Sequence, residues 1–155
     1  MTVLDAENAY ILNADPEVVR YTGDDPFKSV EDAREFLGNY RHYEKYGYGR
    51  WAVINKEDQA YLGWCGLKYT PELDEYDIGY RLIKKYWDKG YATEAAKACI
   101  AYGFDKLGMT TIVGRARLEN KASIKVLENI GLEYYKDFDM EGFPGVIYRI
   151  EKKCI

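Results

Sequence analysis

The chain has 155 residues, of which 47% are hydrophobic and 31% charged, as expected of one folded domain and not of a disordered chain. Its net charge of −4 excludes a global basic field that would attract nucleic acid. No apolar run approaches the roughly 20 residues of a membrane span, and the N-terminus lacks an export signal. Cys65, Cys99 and Cys154 form no metal-ligand pattern, which favours a reducing cytoplasm.

The N-terminal third is predicted to be helical. Residues 4–13 form a short helix ahead of the turn Ala14-Asp15-Pro16. Ser29 with Asp32 resembles a capping box and predicts a helix from there to about Lys45, which ends before Gly47. This helix carries the single histidine, His42, which is predicted to lie on the surface.

Strands are predicted to follow. Arg50–Asn55 and Gln59–Tyr69 are separated by the polar residues 56–58, which indicates an antiparallel hairpin, and Tyr76–Ile83 is the next strand. A polar loop then leads to a helix that opens at Gly90 and Ala92. Small residues at such a point let a phosphate approach the free backbone N–H groups, where the helix dipole favours negative charge.

This central helix is the clearest element of the sequence, because its apolar residues keep helical spacing for about four turns and Gly108 ends it. Thr110–Ala116 is predicted as a strand and Asn120–Ile130 as a helix. Leu132–Phe138 and Val146–Ile150 are predicted as strands on either side of a turn at residues 142–145. The order of elements predicts an α/β fold with a mixed sheet covered on both faces.

Two segments, DIGYRLIKKYWDKGYATEAA (77–96) and NKASIKVLENIGL (120–132), together resemble the GNAT superfamily of acetyl-CoA-dependent N-acetyltransferases. The resemblance is nearest to the ribosomal-protein N-terminal (Rim-type) branch, which NADPEVVRYTG (13–23) also resembles. Trp87 stands where the superfamily often has Gln or Arg. The resemblance covers nearly the whole chain as one domain and implies a GNAT-like fold with splayed central strands.

The resemblance implies acetyl-CoA as cosubstrate and assigns its contacts. The pyrophosphate would lie on Lys89, Gly90, Tyr91, Ala92 and Thr93, the pantetheine arm on the backbone of Leu82, Ile83 and Lys84, and the thioester end beside Asn120 and Ser123. Asn120 is equally explained as a helix N-cap, and both interpretations stay open.

The reaction that the resemblance implies is direct transfer of the acetyl group to an amine, with a backbone N–H near Leu82 facing the carbonyl oxygen. Asp77 is the first candidate base and Glu75 the second, with Glu141 as a third; the alternative is that these carboxylates are solvated surface charges. Many relatives have a proton-donating tyrosine at the position of Leu127, so Ser123, another residue or water must protonate the leaving thiolate, or it leaves unaided.

The sequence leaves three questions open. The chain could instead be a non-catalytic acyl-CoA-binding or sensing domain, because the acid is missing. The acceptor could be a protein N-terminus, a polyamine, an amino acid or an antibiotic. Rim-type relatives usually begin with a further strand, and its apparent absence would expose the edge of Arg50–Asn55, which predicts a homodimer or a start codon placed too late.

Overall fold

The computed structural model describes residues 1–153, so Cys154 lies outside the described residues. A short 3-10 turn, Val3–Asp5, opens the chain. The helices are α1 (Ala6–Ala14), α2 (Pro16–Val19), α3 (Val30–Asn39), α4 (His42–Tyr46), α5 (Tyr91–Asp105) and α6 (Lys121–Asn129). The strands are β1 (Arg50–Ile54), β2 (Tyr61–Thr70), β3 (Glu75–Leu82), β4 (Thr111–Arg117), β5 (Glu133–Met140) and β6 (Phe143–Glu151). Within residues 1–153, no helix combines the length and the apolar character that crossing a membrane requires.

The six strands form one mixed sheet in the order β1-β2-β3-β4-β6-β5. All neighbours are antiparallel except the central pair, β3 and β4, which run parallel. That central pair is joined at a single position, Asp77 opposite Val113. Beyond it the two strands separate toward their C-terminal ends, which confirms the splayed central strands that the resemblance implied.

The strand periodicity divides the molecule into two faces. Ile78 of β3 and Ile112 of β4 belong to the main core with Ile100 of α5 and Leu127 of α6. The helices α5 and α6 therefore cover one face. The N-terminal helices cover the other, where Leu12 of α1 is fully buried beside β2.

One helix prediction was wrong in its extent. The helix predicted from Ser29 to Lys45 is two helices, α3 and α4, because Tyr40 has an extended backbone with ψ 110°. His42 begins α4 and is half-buried, and both of its ring nitrogens have partners. Its Nδ1 lies 2.7 Å from the carbonyl oxygen of Tyr48, and its Nε2 accepts the N–H of Tyr69 at 3.0 Å. These contacts join α4 to the sheet and make His42 structural.

The hairpins lie close to their predicted positions. Strand β2 begins at Tyr61 and not at Gln59, because Gln59 adopts φ 60° in the turn. The last turn is also shorter than predicted: Glu141 and Gly142 have φ 53° and 90°, which is a two-residue turn with both φ values positive. Pro144 and Gly145 are therefore part of β6.

Strand β1 is an edge strand, since no described strand lies outside it. Two tyrosines cover its first residue: the N–H of Arg50 donates to the hydroxyl of Tyr40 at 3.2 Å, and its carbonyl accepts the hydroxyl of Tyr43. By the alternation of an antiparallel strand, the backbone groups of Ala52 also face outward. No hydrogen-bond partner for them lies within residues 1–153, so part of this edge is open.

Candidate active site

The separation of β3 from β4 leaves main-chain groups of β3 without a strand partner. The N–H of Ile83 donates to the carbonyl of Leu62 at 2.9 Å, toward β2. Because hydrogen-bonded residues alternate along an antiparallel strand, the backbone groups of Tyr80 and Leu82 point the other way, toward β4. We call the gap between residues 79–82 of β3 and 115–117 of β4 the central opening.

The first turn of α5 borders the loop that leaves β3. Gly90 has φ 82° and precedes the helix without any side-chain cap, and a Cβ at this position would meet no atom within 4 Å. Asp88 also adopts a left-handed conformation, with φ 60°. The first backbone bond of the helix runs from the N–H of Glu94 to the carbonyl of Gly90. The N–H groups before Glu94 are therefore available in open space, which suits a diphosphate.

Trp87 fixes this loop to the end of β3. Its indole N–H donates to the carbonyl oxygen of Leu82 at 2.8 Å. Both main-chain groups of Ile83 are also used within the protein, the N–H by Leu62 and the carbonyl by Tyr86. Three residues are expected to contact the pantetheine arm. The N–H groups of two of them, Leu82 and Lys84, have no hydrogen-bond partner among the described residues and are available to it.

The two lysines expected at the cofactor differ in their surroundings. The ammonium of Lys84 forms an exposed ion pair with Glu17 of α2, so part of its charge is already compensated. Lys89 is exposed beside Gly90 and forms no ion pair within residues 1–153. Lys89 is therefore the better placed of the two to meet an anion.

Helix α6 begins on the other side of the central opening. The side-chain oxygen of Asn120 accepts the N–H of Ser123 at 3.2 Å, which is an N-cap. Leu127, at the position where many relatives have a tyrosine, is buried, and its side chain packs against the backbone of Gly114. The family's usual proton donor has no counterpart at this position.

A tyrosine from β3, which no sequence motif singles out, reaches this point instead. The hydroxyl of Tyr80 donates to the carbonyl of Ser123 at 2.8 Å and lies 3.0 Å from the Ser123 hydroxyl. Burial raises the pKa of Tyr80 well above its usual value, so the hydroxyl stays protonated and remains a donor. The alternation of β3 predicts that Tyr80 shares a face with Ile78, but it does not tell which helix lies opposite.

The two candidate bases are both paired with arginines on the opposite face of the sheet. Asp77 Oδ1 accepts from Arg50 Nη2 at 2.9 Å, and each side chain is 18% exposed. Its Oδ2 has no partner among the described residues. Glu75 is paired with Arg115. Neither carboxylate is the freely solvated charge of the alternative interpretation.

A cavity of about 450 Å³ lies on this same face, between the sheet and the N-terminal helices. Its lining is aromatic and charged: Met1, Asn13, Asp24, Asp25, Phe27, Phe36, Leu37, Tyr40, His42, Tyr43, Arg50, Trp64, Lys68 and Arg81. We call it the N-terminal cleft. The guanidinium carbons of Arg50 and Arg81 lie 5.1 Å and 5.2 Å from the centre of a Trp64 ring, so the floor of the cleft is rigid.

Comparisons with known proteins agree with this geometry. Residues 1–133 match the acetyltransferase (GNAT) domain family. The chain is 34% identical over 122 residues to an uncharacterized N-acetyltransferase, p20 of Bacillus licheniformis, covering 77% of this chain and 68% of p20. A GNAT-family acetyltransferase from Bacillus anthracis superposes with a TM-score of 0.83 at 28% identity, over 97% of this chain and 91% of that one. Spermidine N-acetyltransferase from Vibrio cholerae, solved with CoA and spermine, has a TM-score of 0.79 at 16% identity, over 97% and 92%.

A splayed mixed sheet with an uncapped helix N-terminus beside the opening is the arrangement expected of an acyl-CoA-dependent transferase. The chain belongs to the GNAT acetyltransferase family. It is an acetyl-CoA-dependent N-acyltransferase.

Proposed function

We propose that this protein transfers the acetyl group of acetyl-CoA to a primary amine by direct attack of the amine on the thioester. The observation that carries this proposal is the central opening, with the free N–H of Leu82 on one side and the uncapped N-terminus of α5 nearby. Holding two reactants in line across such an opening can lower the activation free energy by about 7–11 kcal/mol. A weak base is therefore sufficient.

We assign binding of the diphosphate of acetyl-CoA to the backbone N–H groups from Lys89 to Thr93, which include Gly90, Tyr91 and Ala92. The left-handed conformations of Asp88 and Gly90 and the empty space beside Gly90 support this assignment. The N–H groups of Leu82 and Lys84 would then meet the pantetheine arm and the thioester carbonyl. The N–H of Leu82 is suited to the carbonyl oxygen, because a fixed donor in a dry gap stabilises developing negative charge.

We assign the base to Asp77 and keep Glu75 as the second candidate. The Arg50 guanidinium holds one carboxylate oxygen of Asp77 and leaves Oδ2 to accept the amine proton through a water molecule. Asp77 also stands at the point where β3 and β4 begin to separate. A positioned base typically contributes roughly 10²–10⁴-fold to the rate.

We assign stabilisation of the leaving thiolate to Ser123, with Tyr80 as a positioning residue. Tyr80 donates its hydroxyl proton to the Ser123 carbonyl and so fixes the first turn of α6, while the hydrogen of the Ser123 hydroxyl can rotate toward the sulfur. The proton that finally neutralises the thiolate is the one removed from the attacking amine. This arrangement replaces the tyrosine that Leu127 excludes.

We place the acceptor in the N-terminal cleft, which opens on the face that carries Asp77. A protein N-terminus, as in the Rim-type branch, and a small amine, as in the spermidine enzyme, both fit this assignment. We further propose a cytoplasmic location and a homodimer formed through the open part of β1. Light scattering tests the dimer: a monomer at every concentration contradicts it.

The experiment that tests the function is free-thiol release from acetyl-CoA with a panel of amines, run beside calorimetry of CoA binding. We expect turnover with at least one amine and a loss of about 10²-fold or more in kcat for Asp77→Asn. Glu75→Gln tests the second candidate in the same way, since it removes the other arginine-paired carboxylate, and a loss there with none in Asp77→Asn moves the base to Glu75. Binding of CoA without turnover of any amine supports a sensing domain instead, and no binding to folded protein rejects both.

A further inference from the structure

We propose that Arg117 binds an acidic group of the acceptor, so that the acceptor carries a carboxylate or a phosphate in addition to its amine. The inference rests on the proposed function and adds the chemical class of the substrate. Arg117 differs in its charge compensation from three other arginines on the same face of the sheet.

Arg117 stands at the central opening. Arg81 follows the paired residue Asp77 by four positions on β3, and Arg117 follows its partner Val113 by four positions on β4. Because side chains alternate along a strand, both arginines point to the face of Asp77 and the N-terminal helices. They occupy corresponding positions on the two separating strands.

Three arginines of this face are compensated by carboxylates. Arg50 pairs with Asp77, Arg81 with Asp24, and Arg115 with Glu75. Arg81 also donates to Asn13 at 2.5 Å. Their positive charges and donors are therefore largely used within the fold.

Arg117 differs in both charge and hydrogen bonding. It forms no ion pair with any described residue. Its Nε is buried without a hydrogen-bond partner, and its Nη1 makes only a long 3.4 Å contact to the carbonyl of Arg20. A buried donor without a partner destabilises a protein by about 1–3 kcal/mol, a cost that a bound acceptor atom would remove.

The side chain is nevertheless held in place. Its guanidinium carbon lies 3.8 Å from the ring centre of Phe143, at the start of β6. The neighbouring Leu118 N–H donates to the carbonyl of Pro144 at 2.9 Å, which joins the end of β4 to the same hairpin. Glu141, at the tip of this hairpin, lies against Gly23 and forms no ion pair with Arg117. A fixed guanidinium with unused donors suits bidentate binding of a carboxylate or a phosphate.

The position relative to the N-terminal cleft gives the geometry of the substrate. Arg117 is not part of the cleft lining, but Arg81, at the corresponding position on β3 across the central opening, is. An acceptor in the cleft can therefore present its amine at the central opening and its anion to Arg117. A polycation such as spermine would instead place positive charge beside an uncompensated arginine.

The test compares acceptors that differ by one anionic group. Tyrosine is compared with tyrosine methyl ester, and O-phosphoethanolamine with ethanolamine, in the thiol-release assay with acetyl-CoA. We expect the anionic member of at least one pair to have kcat/KM about 10- to 100-fold above its neutral partner. Arg117→Met should remove this preference by lowering kcat/KM of the anionic member to that of its neutral partner, whereas Arg149→Met, which removes an arginine stacked on Tyr135, should leave the preference in place.

The tyrosine pair and the phosphate pair distinguish the two anions, and a preference in either supports the proposal. Equal or better turnover of both neutral amines overturns it, as does a preference that survives in Arg117→Met. A binding measurement does not depend on turnover: N-acetyltyrosine should bind the CoA complex more tightly than its methyl ester, and only when Arg117 is present. Failure of every amine in a protein that still binds CoA rejects the proposed function, while neutral amines that react well reject only this inference.

Discussion

The N-termini of α5 and α6 differ in how their first backbone N–H groups are satisfied. Helix α6 begins with Asn120, whose side chain accepts the N–H of Ser123, so one orphan donor is satisfied from within the chain. Helix α5 begins with Gly90, which has no side chain to offer, and its first N–H groups face open space. The difference indicates that a helix N-terminus suits an anion where no side chain caps it and where the preceding residue tolerates positive φ.

The largest expected effect comes from filling the space at Gly90. Gly90→Glu places a bulky negative side chain where the diphosphate would lie, and we expect CoA affinity measured by calorimetry to fall by at least about 100-fold. Gly108→Glu is the matched control, because Gly108 has φ 69° and equally open surroundings at the far end of the same helix. Both variants carry the same backbone strain, so only a specific anion site makes CoA affinity differ between them.

Undiminished CoA affinity in folded Gly90→Glu contradicts the proposed diphosphate site at the N-terminus of α5. An equal loss of affinity in both variants attributes the effect to strain in α5 and not to the site. Thermal unfolding of the two proteins, recorded first, verifies that their stabilities match.

A smaller effect is expected at Tyr80, which joins the start of α6 to β3. Tyr80→Phe should reduce kcat by about 3- to 10-fold with little change in KM for acetyl-CoA, because the hydroxyl orients Ser123 and does not hold the cofactor. Tyr134→Phe removes an exposed hydroxyl that donates to Asp137 and serves as the control. If Ser123→Ala and Tyr80→Phe act through one hydrogen bond, the double variant is no slower than Ser123→Ala alone. If the losses in kcat are additive instead, the two residues do not act through one hydrogen bond.

The raised pKa of Tyr80 adds a pH dependence. A folded-state pKa above the unfolded value of about 10 gives stability that is complete below that pH and is lost as the pH rises through the folded pKa. The fall in melting temperature above about pH 10 should therefore be less steep in Tyr80→Phe than in the wild type. An identical alkaline fall in both proteins contradicts the assignment of this proton to Tyr80.

The parts of the molecule that local sequence determines were predicted well. The apolar spacing of α5 and the glycine before it identify the helix and its open end, because both depend on neighbouring residues only. The Tyr80–Ser123 bond joins residues 43 positions apart, and the Arg50–Asp77 pair joins residues 27 apart. No local pattern encodes such partners. Tyr40 illustrates the same limit, since long-range contacts of Tyr40 and His42 with the sheet accompany the break in the predicted helix.

The smallest effect concerns Asn120, for which the sequence left two roles open. Asn120→Ala removes the N-cap and should cost about 1 kcal/mol of unfolding free energy, measured by denaturant titration. Asn120→Asp preserves the cap, because a carboxylate also accepts the Ser123 N–H and favours a helix N-terminus, but it replaces the side-chain amide donor with negative charge. A stable Asn120→Asp that binds acetyl-CoA normally assigns Asn120 to the cap alone. A stable Asn120→Asp that has lost affinity shows that residue 120 also lies beside the cofactor, where the new carboxylate repels the negative charge of acetyl-CoA.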